Sequence, residues 1–220
     1  MGKPGMPGFY SSGELKSDRV VHAIGTLSAP IAVAVLLAIA IHRSGAARLP
    51  VILVYSLGLV AMLGFSAAYN LARNPERREV LRRFDHAAIF VMIAGTYTPF
   101  IAIVADPAWR WGLMVAVWLI AAIGIAIEFA LPRRLDGFSV LIYLGLGWIA
   151  VIAPGPLLGD LTTSVVVLLA VGGAFYTLGV GFHLWDTLRF HNTIWHAAVV
   201  VAAGLHYSAV LLGVVLVPVG

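Results

Sequence analysis

The sequence predicts an all-α membrane protein, a seven-transmembrane helix bundle with its N-terminus inside and its C-terminus outside. Three observations carry that prediction. First, the 220 residues are 61% hydrophobic and only 11% charged, where a soluble domain runs about 45–50% apolar and about 25% charged. A single chain of this size has too little interior to hide the excess, so the bilayer is its natural solvent. Second, the apolar residues fall into seven runs, six of them at or above the roughly 20 residues that span hydrocarbon. Third, lysine and arginine are unevenly shared among the connections, and that bias sets orientation.

Taken in order, residues 1–19 are rich in Gly, Pro and Ser and carry Lys3, Glu14, Lys16, Asp18 and Arg19. They predict a flexible N-terminal arm, with residues 20–217 as the membrane domain. The first span, Val20–His42, is too long for a cleaved signal peptide, and Pro30 predicts a kink within it. The second and third spans are Val51–Ala72 and His86–Ala105, joined by the arginine-rich connection Arg73–Asp85. Asp106–Pro107 separates the third from the fourth, Trp109–Leu131. The fifth, Phe138–Pro154, is short and bounded by Pro154 and Pro156. Thr163–Phe182 and Thr193–Val217 complete the set.

With the N-terminus inside, eleven basic residues lie on the inner side: Lys3, Lys16, Arg19, Arg73, Arg77, Arg78, Arg82, Arg83, Arg133, Arg134 and Arg189. Only Arg43, Arg48 and Arg110 lie outside. Trp109 and Trp111 then fall at the outer interface, where indole rings settle. The pI of about 9.7 reflects these short loops rather than a nucleic-acid surface. The 23 glycines read as helix-packing positions, because small residues let helices approach closely in lipid. No internal repeat marks an inverted-repeat transporter. There is no cysteine, so disulfides and thiolate metal sites are excluded, and a metal would need His, Asp, Glu or weaker oxygen ligands.

This topology gathers Ser66, Asn70, Asp85, His86, Asn192 and His196 in the inner part of the membrane. Ser66 and Asn70 are four apart and share one helix face, as do Asn192 and His196. Two such pairs facing Asp85 predict a polar pocket of Ser66, Asn70, Asp85, Asn192 and His196 inside an apolar bundle. An ionisable group at a membrane edge is costly to place, which makes Asp85 a functional-site candidate.

The Ser66-x3-Asn70 spacing, the segment LRRFDHAAIFVMIAGTYTPF, and NTIWH followed by His206 resemble the hemolysin III proteins, the bacterial branch of the progestin and adiponectin receptor superfamily. The resemblance spans roughly residues 17–217. It implies a seven-helix bundle with a cytoplasmic N-terminus, in a bacterial plasma membrane. It also implies a zinc site near the inner face, made of Ser-x3-His on the second helix, an Asp opening the third (here Asp85) and His-x3-His on the seventh. Here positions 70 and 192 are Asn, and amide oxygen is a poor zinc ligand. No cofactor is therefore expected; were a metal to bind, His196 would be its ligand, with Asp85 nearby. His22, His86 and His191 lie near the same face and could in principle substitute as ligands, though His86 and His191 are each about 100° around their helices from Asp85 and Asn192. In the metal-free alternative, Asp85 accepts hydrogen bonds from Ser66, Asn70, Asn192 and His196 in a closed network.

Three functions compete. The resemblance implies a non-enzymatic membrane protein concerned with lipid and fluidity homeostasis, with membrane lipids as partners and a pore-forming, cytolytic label carried by the family name. The wider superfamily includes alkaline ceramidases, which implies a lipid amide hydrolase with Asp85 as base and Ser66 stabilising the oxyanion. A proton-linked transporter using Asp85 ranks last, because the polar residues sit near one face only. Glu128 is expected to pair at the interface with Arg133 and Arg134. His206 is expected to be a buried, hydrogen-bonded histidine about 15 Å along the helix from His196. Tyr97, Thr98 and Pro99 are expected to end the third span.

Overall fold

The computed structural model describes residues 10–44, 47–130, 136–152, 154–159 and 161–218. Among the described residues every regular element is helical. They are α1 (Ser12–Ser44), α2 (Leu49–Leu71), α3 (Pro75–Ala102), α4 (Pro107–Ala130), α5 (Asp136–Gly147), α6 (Ile149–Ile152), α7 (Pro154–Leu158), α8 (Thr163–Leu184) and α9 (His191–Val210), which runs into a π turn at Leu211–Val215. Six of these helices are long and apolar enough to cross a membrane. Leu27, Ile31, Trp111, Leu141 and Leu178 are each more than 60% exposed. Apolar side chains turned outward on several helices are what a lipid-facing surface requires.

The helix starts have local causes. Ser11 and Glu14 form a capping box: Ser11 N and Oγ donate to Glu14 Oε2 at 2.8 and 2.7 Å, and Glu14 N donates to Ser11 Oγ at 3.3 Å. This motif satisfies backbone N–H groups that a helix start leaves unpaired. It moves the start of α1 to Ser12, so residues 12–19 are helical rather than a flexible arm; residues 1–9 lie outside the described residues. Asn74 caps α3 by accepting from Arg77 N at 3.0 Å, and Pro75 occupies the first turn, where a missing N–H costs nothing. The expected connection Arg73–Asp85 is thus mostly helix. Asp85 lies three turns into α3 instead of opening it, because hydropathy marks where lipid begins, not where a helix does. The third helix also continues through Pro99 to Ala102. At α4, Asp106 Oδ1 accepts from Ala108 N and Trp109 N at 2.7 and 3.2 Å, which gives the expected break at Asp106–Pro107 a capping residue.

The fifth predicted span is not one helix. The chain breaks at Trp148 between α5 and α6. Tyr97 on α3 partners the freed backbone: its hydroxyl donates to Gly147 O at 2.7 Å and accepts from Ala150 N at 3.3 Å. Trp148 Nε1 donates to Thr177 Oγ1 on α8 at 3.0 Å. Backbone groups freed within hydrocarbon need such partners, and the sequence does not reveal them.

α3 packs between α2 and α4, while α1 packs on α2 and α9, and α9 on α8. Close approach of α2 to α3 requires Gly58, where a Cβ would stand 3.1 Å from Met92 Cα. One apolar core joins α1, α2, α3 and α9 around Leu36, Tyr55, Met92 and Val210. A second joins α3, α4 and α5 around Phe90, Val117 and Leu146. The first core brings the N-terminal turns of α1 and α9 beside the C-terminal turns of α2 and the middle of α3.

Candidate functional site

At that junction lies a cavity of about 770 Å³. Ser66, Asn70, Asp85, Asn192 and His196 all line it. Arg73, Arg78 and Arg82 also line it, so one part of its wall is basic. The positioning of α9 is unusual. Phe190, its N-cap, has φ 63°, a left-handed conformation that residues other than Gly adopt at a cost. Glu14 Oε1 accepts from Phe190 N at 3.0 Å. The same carboxylate therefore caps α1 and holds the entry to α9, which sets Asp18 and His22 of one helix against His196 of the other.

The bonds differ from the expected Asp85-centred network. His196 Nδ1 lies 2.6 Å from Asp18 Oδ1, so its carboxylate partner is Asp18 on α1. The Asn70 amide donates to Ser66 O, one turn back, at 2.9 Å, and faces His196 Nε2 at 3.5 Å. The His22 ring lies against that of His196, tilted by 53° with centroids 4.2 Å apart, and its Nε2 stands 3.5 Å from Asp18 Oδ2. His22 and His196 are both 6% exposed.

Asp18 is the site residue that span-finding misses, whereas His22 falls within the first span. Asp18 had been placed in the arm, outside the membrane domain. The Ser11-x-x-Glu14 capping box was the signal that could have found it, since it extends α1 and puts Asp18 and His22 on one face at i, i+4.

Two further groups flank the cavity. His86 turns away from Asp18: its Nδ1 meets Glu128 Oε2 at 3.2 Å. Tyr143 OH donates to Glu128 Oε1 at 3.3 Å, and Arg82 Nη1 lies 3.9 Å from Glu128. Glu128 is thus buried among α3 and α5 side chains, whereas its expected partners Arg133 and Arg134 lie outside the described residues. On the opposite side, Tyr10 OH meets His191 Nε2 at 3.3 Å. Burial pushes the Tyr10 phenol up, so it stays protonated and donates. His206 Nε2 bonds Leu169 O at 3.2 Å, as a histidine hydrogen-bonded within the bundle should.

The zinc set implied by the family resemblance does not fit this chain. Zinc sites draw on His, Cys and carboxylate. Two of the three imidazole positions are amides, and the Asn70 amide nitrogen is already committed to Ser66 O.

A second, apolar cavity of about 190 Å³ adjoins the first. The two share Met62, Ile89, Tyr143, Tyr176, Val180 and Trp195. Its other walls include Ile93, Phe100, Leu157, Leu161 and Leu169. A polar compartment thus opens onto a hydrocarbon-lined one.

The profile of the family described as "Haemolysin-III related" matches residues 17–207. Hemolysin-3 of Bacillus cereus is 31% identical over 195 residues, covering 89% of each chain. The Hemolysin-3 homolog of Bacillus subtilis strain 168 is 30% identical over 202 residues, covering 92% of this chain and 95% of its own. The human Monocyte to macrophage differentiation factor is 27% identical over 164 residues, covering 71% of this chain and 67% of its own. With its long apolar helices, this multi-pass membrane protein belongs to the hemolysin III family of the progestin and adiponectin receptor superfamily.

Proposed function

We propose that this chain binds an acyl lipid without cleaving it and serves membrane-lipid and fluidity homeostasis. It would do so as a seven-span plasma-membrane protein with its N-terminus inside. The observation that carries the reading is the pair of adjoining cavities. The polar one, with Arg73, Arg78 and Arg82 on its wall, suits a headgroup. The apolar one, lined by Ile93, Phe100 and Leu169, suits a chain. Lipid-facing turns of the fifth segment, held by Tyr97 and Trp148, complete the span count. The hemolysin name belongs to the Bacillus relatives; an apolar inner compartment favours lipid over a water path here.

Native mass spectrometry of the purified chain tests this. One bound acyl lipid per chain is expected, recovered intact, and lost in Ile89→Trp, which fills the neck between the cavities. A chain free of lipid would sink the reading. The hydrolase alternative is favoured by one observation, that Ser66, Asp85 and His196 line the same cavity. It is the better reading if added ceramide is cleaved and Asp85→Ala abolishes the cleavage.

A further inference from the structure

We propose that Asp18, His22 and His196 form a site for a divalent transition-metal ion, with ligands from α1 and α9 in place of the α2–α3–α9 set that the family resemblance implies. The proposal is independent of the lipid reading. Three observations support it.

The first is convergence. One ligand atom from each residue lies within 4.8 Å of the other two. Asp18 and His22 are one turn apart on α1, and His196 faces them from α9, an arrangement that lets two helices close on one ion.

The second is an unpaired donor set. His22 Nε2 is buried with no hydrogen-bond partner, although buried polar atoms are normally paired. It points toward the Asp18 carboxylate at 3.5 Å. The ion pairs of Asp18 are with these two histidines, neither of which carries a fixed charge. A carboxylate in an enclosed place is costly unless a cation accompanies it.

The third is ligand chemistry. Two imidazoles and one carboxylate suit Zn²⁺, Co²⁺, Ni²⁺ or Fe²⁺, whereas Mg²⁺ and Ca²⁺ prefer all-oxygen shells. Tetrahedral bonds of about 2.0–2.1 Å set ligand atoms roughly 3.3 Å apart. The His22–Asp18 separation of 3.5 Å, measured to Oδ2, is close to that spacing, and the set as a whole lies within 4.8 Å. The His196–Asp18 contact of 2.6 Å is shorter, because a shared proton sits there now. An entering ion takes the proton's place and parts the two groups by about 0.7 Å on the same spacing. Asp18 and His196 both line the cavity.

The test uses the full chain, purified, stripped with a chelator and equilibrated with Zn²⁺ in excess Mg²⁺. One zinc per chain is expected. Asp18→Asn and His22→Gln each weaken binding at least tenfold, while Asp85→Asn retains the ion. Absence of stoichiometric zinc overturns the proposal. So does loss of the ion in Asp85→Asn with retention in Asp18→Asn and His22→Gln. Should the variants unfold, zinc-edge X-ray absorption on the native chain counts the imidazoles: two are expected, and one overturns the assignment. Asp18→Asn that loses zinc but keeps its lipid in native mass spectrometry separates this site from the lipid reading.

Discussion

Replacing Glu128 by alanine removes the carboxylate on which α3, α4 and α5 meet. Its side chain accepts from His86 Nδ1 at 3.2 Å and from Tyr143 OH at 3.3 Å. Arg82 stands farther off at 3.9 Å and keeps Glu79 at 2.9 Å, so the guanidinium loses little. Hydrogen bonds to a charged acceptor contribute about 1.5–3 kcal/mol each. Both bonds here are longer than the usual charge-assisted range, which puts them at the low end, together about 3 kcal/mol. The void left by the side chain adds roughly 1 kcal/mol. Glu128→Ala is therefore expected to cost about 3–4 kcal/mol, within the range for removing one partner of a buried ion pair. Glu128→Gln keeps the shape and one acceptor oxygen, so about 1–2 kcal/mol is expected. Equilibrium unfolding in mixed micelles, followed by tryptophan fluorescence, measures both. A cost below about 1 kcal/mol for alanine, or equal costs for the two variants, would refute the reasoning. The cluster also bears on the site, since it fixes the rotation of α3 that turns Asp85 toward the cavity while His86 faces Glu128.

Two further substitutions probe the frame around the cavities. Gly58→Ala places a Cβ 3.1 Å from Met92 Cα and 3.2 Å from Val91 O, so α2 and α3 must part. The same unfolding assay should show a loss of about 1–3 kcal/mol, and a neutral result would contradict the close approach. Tyr97→Phe leaves Gly147 O and Ala150 N without the hydroxyl that joins them. Faster amide exchange confined to residues 148–152 is expected, with about 1–2 kcal/mol of lost stability; unchanged exchange there would count against Tyr97 as the clasp of the broken segment.

Much of the architecture was legible in the chain. Apolar runs located the six long helices and the Asp106–Pro107 break, because a helix in lipid must be apolar over its whole crossing. The segment from Ser66 to Phe100 was enough to name the family resemblance. Helix ends were less legible. The α1 start at Ser12 and the α3 start at Pro75 depend on Ser11–Glu14 and Asn74 capping, in polar turns that hydropathy treats as loop. The broken fifth segment escaped for a different reason: Tyr97 and Thr177, which complete its hydrogen bonds, are remote in sequence.

The sequence by itself determined a membrane helix bundle of the hemolysin III type and the asparagines at positions 70 and 192 that remove two expected imidazoles. Only the tertiary structure decided which carboxylate His196 meets. Asp18 lies 178 positions away, and its approach depends on Glu14 tying the start of α1 to the backbone of Phe190. Hydropathy and capping act within a few turns and can be read along the chain. The pairing of helix faces is set by packing between α1, α2, α3 and α9, and it exists only once those helices are assembled.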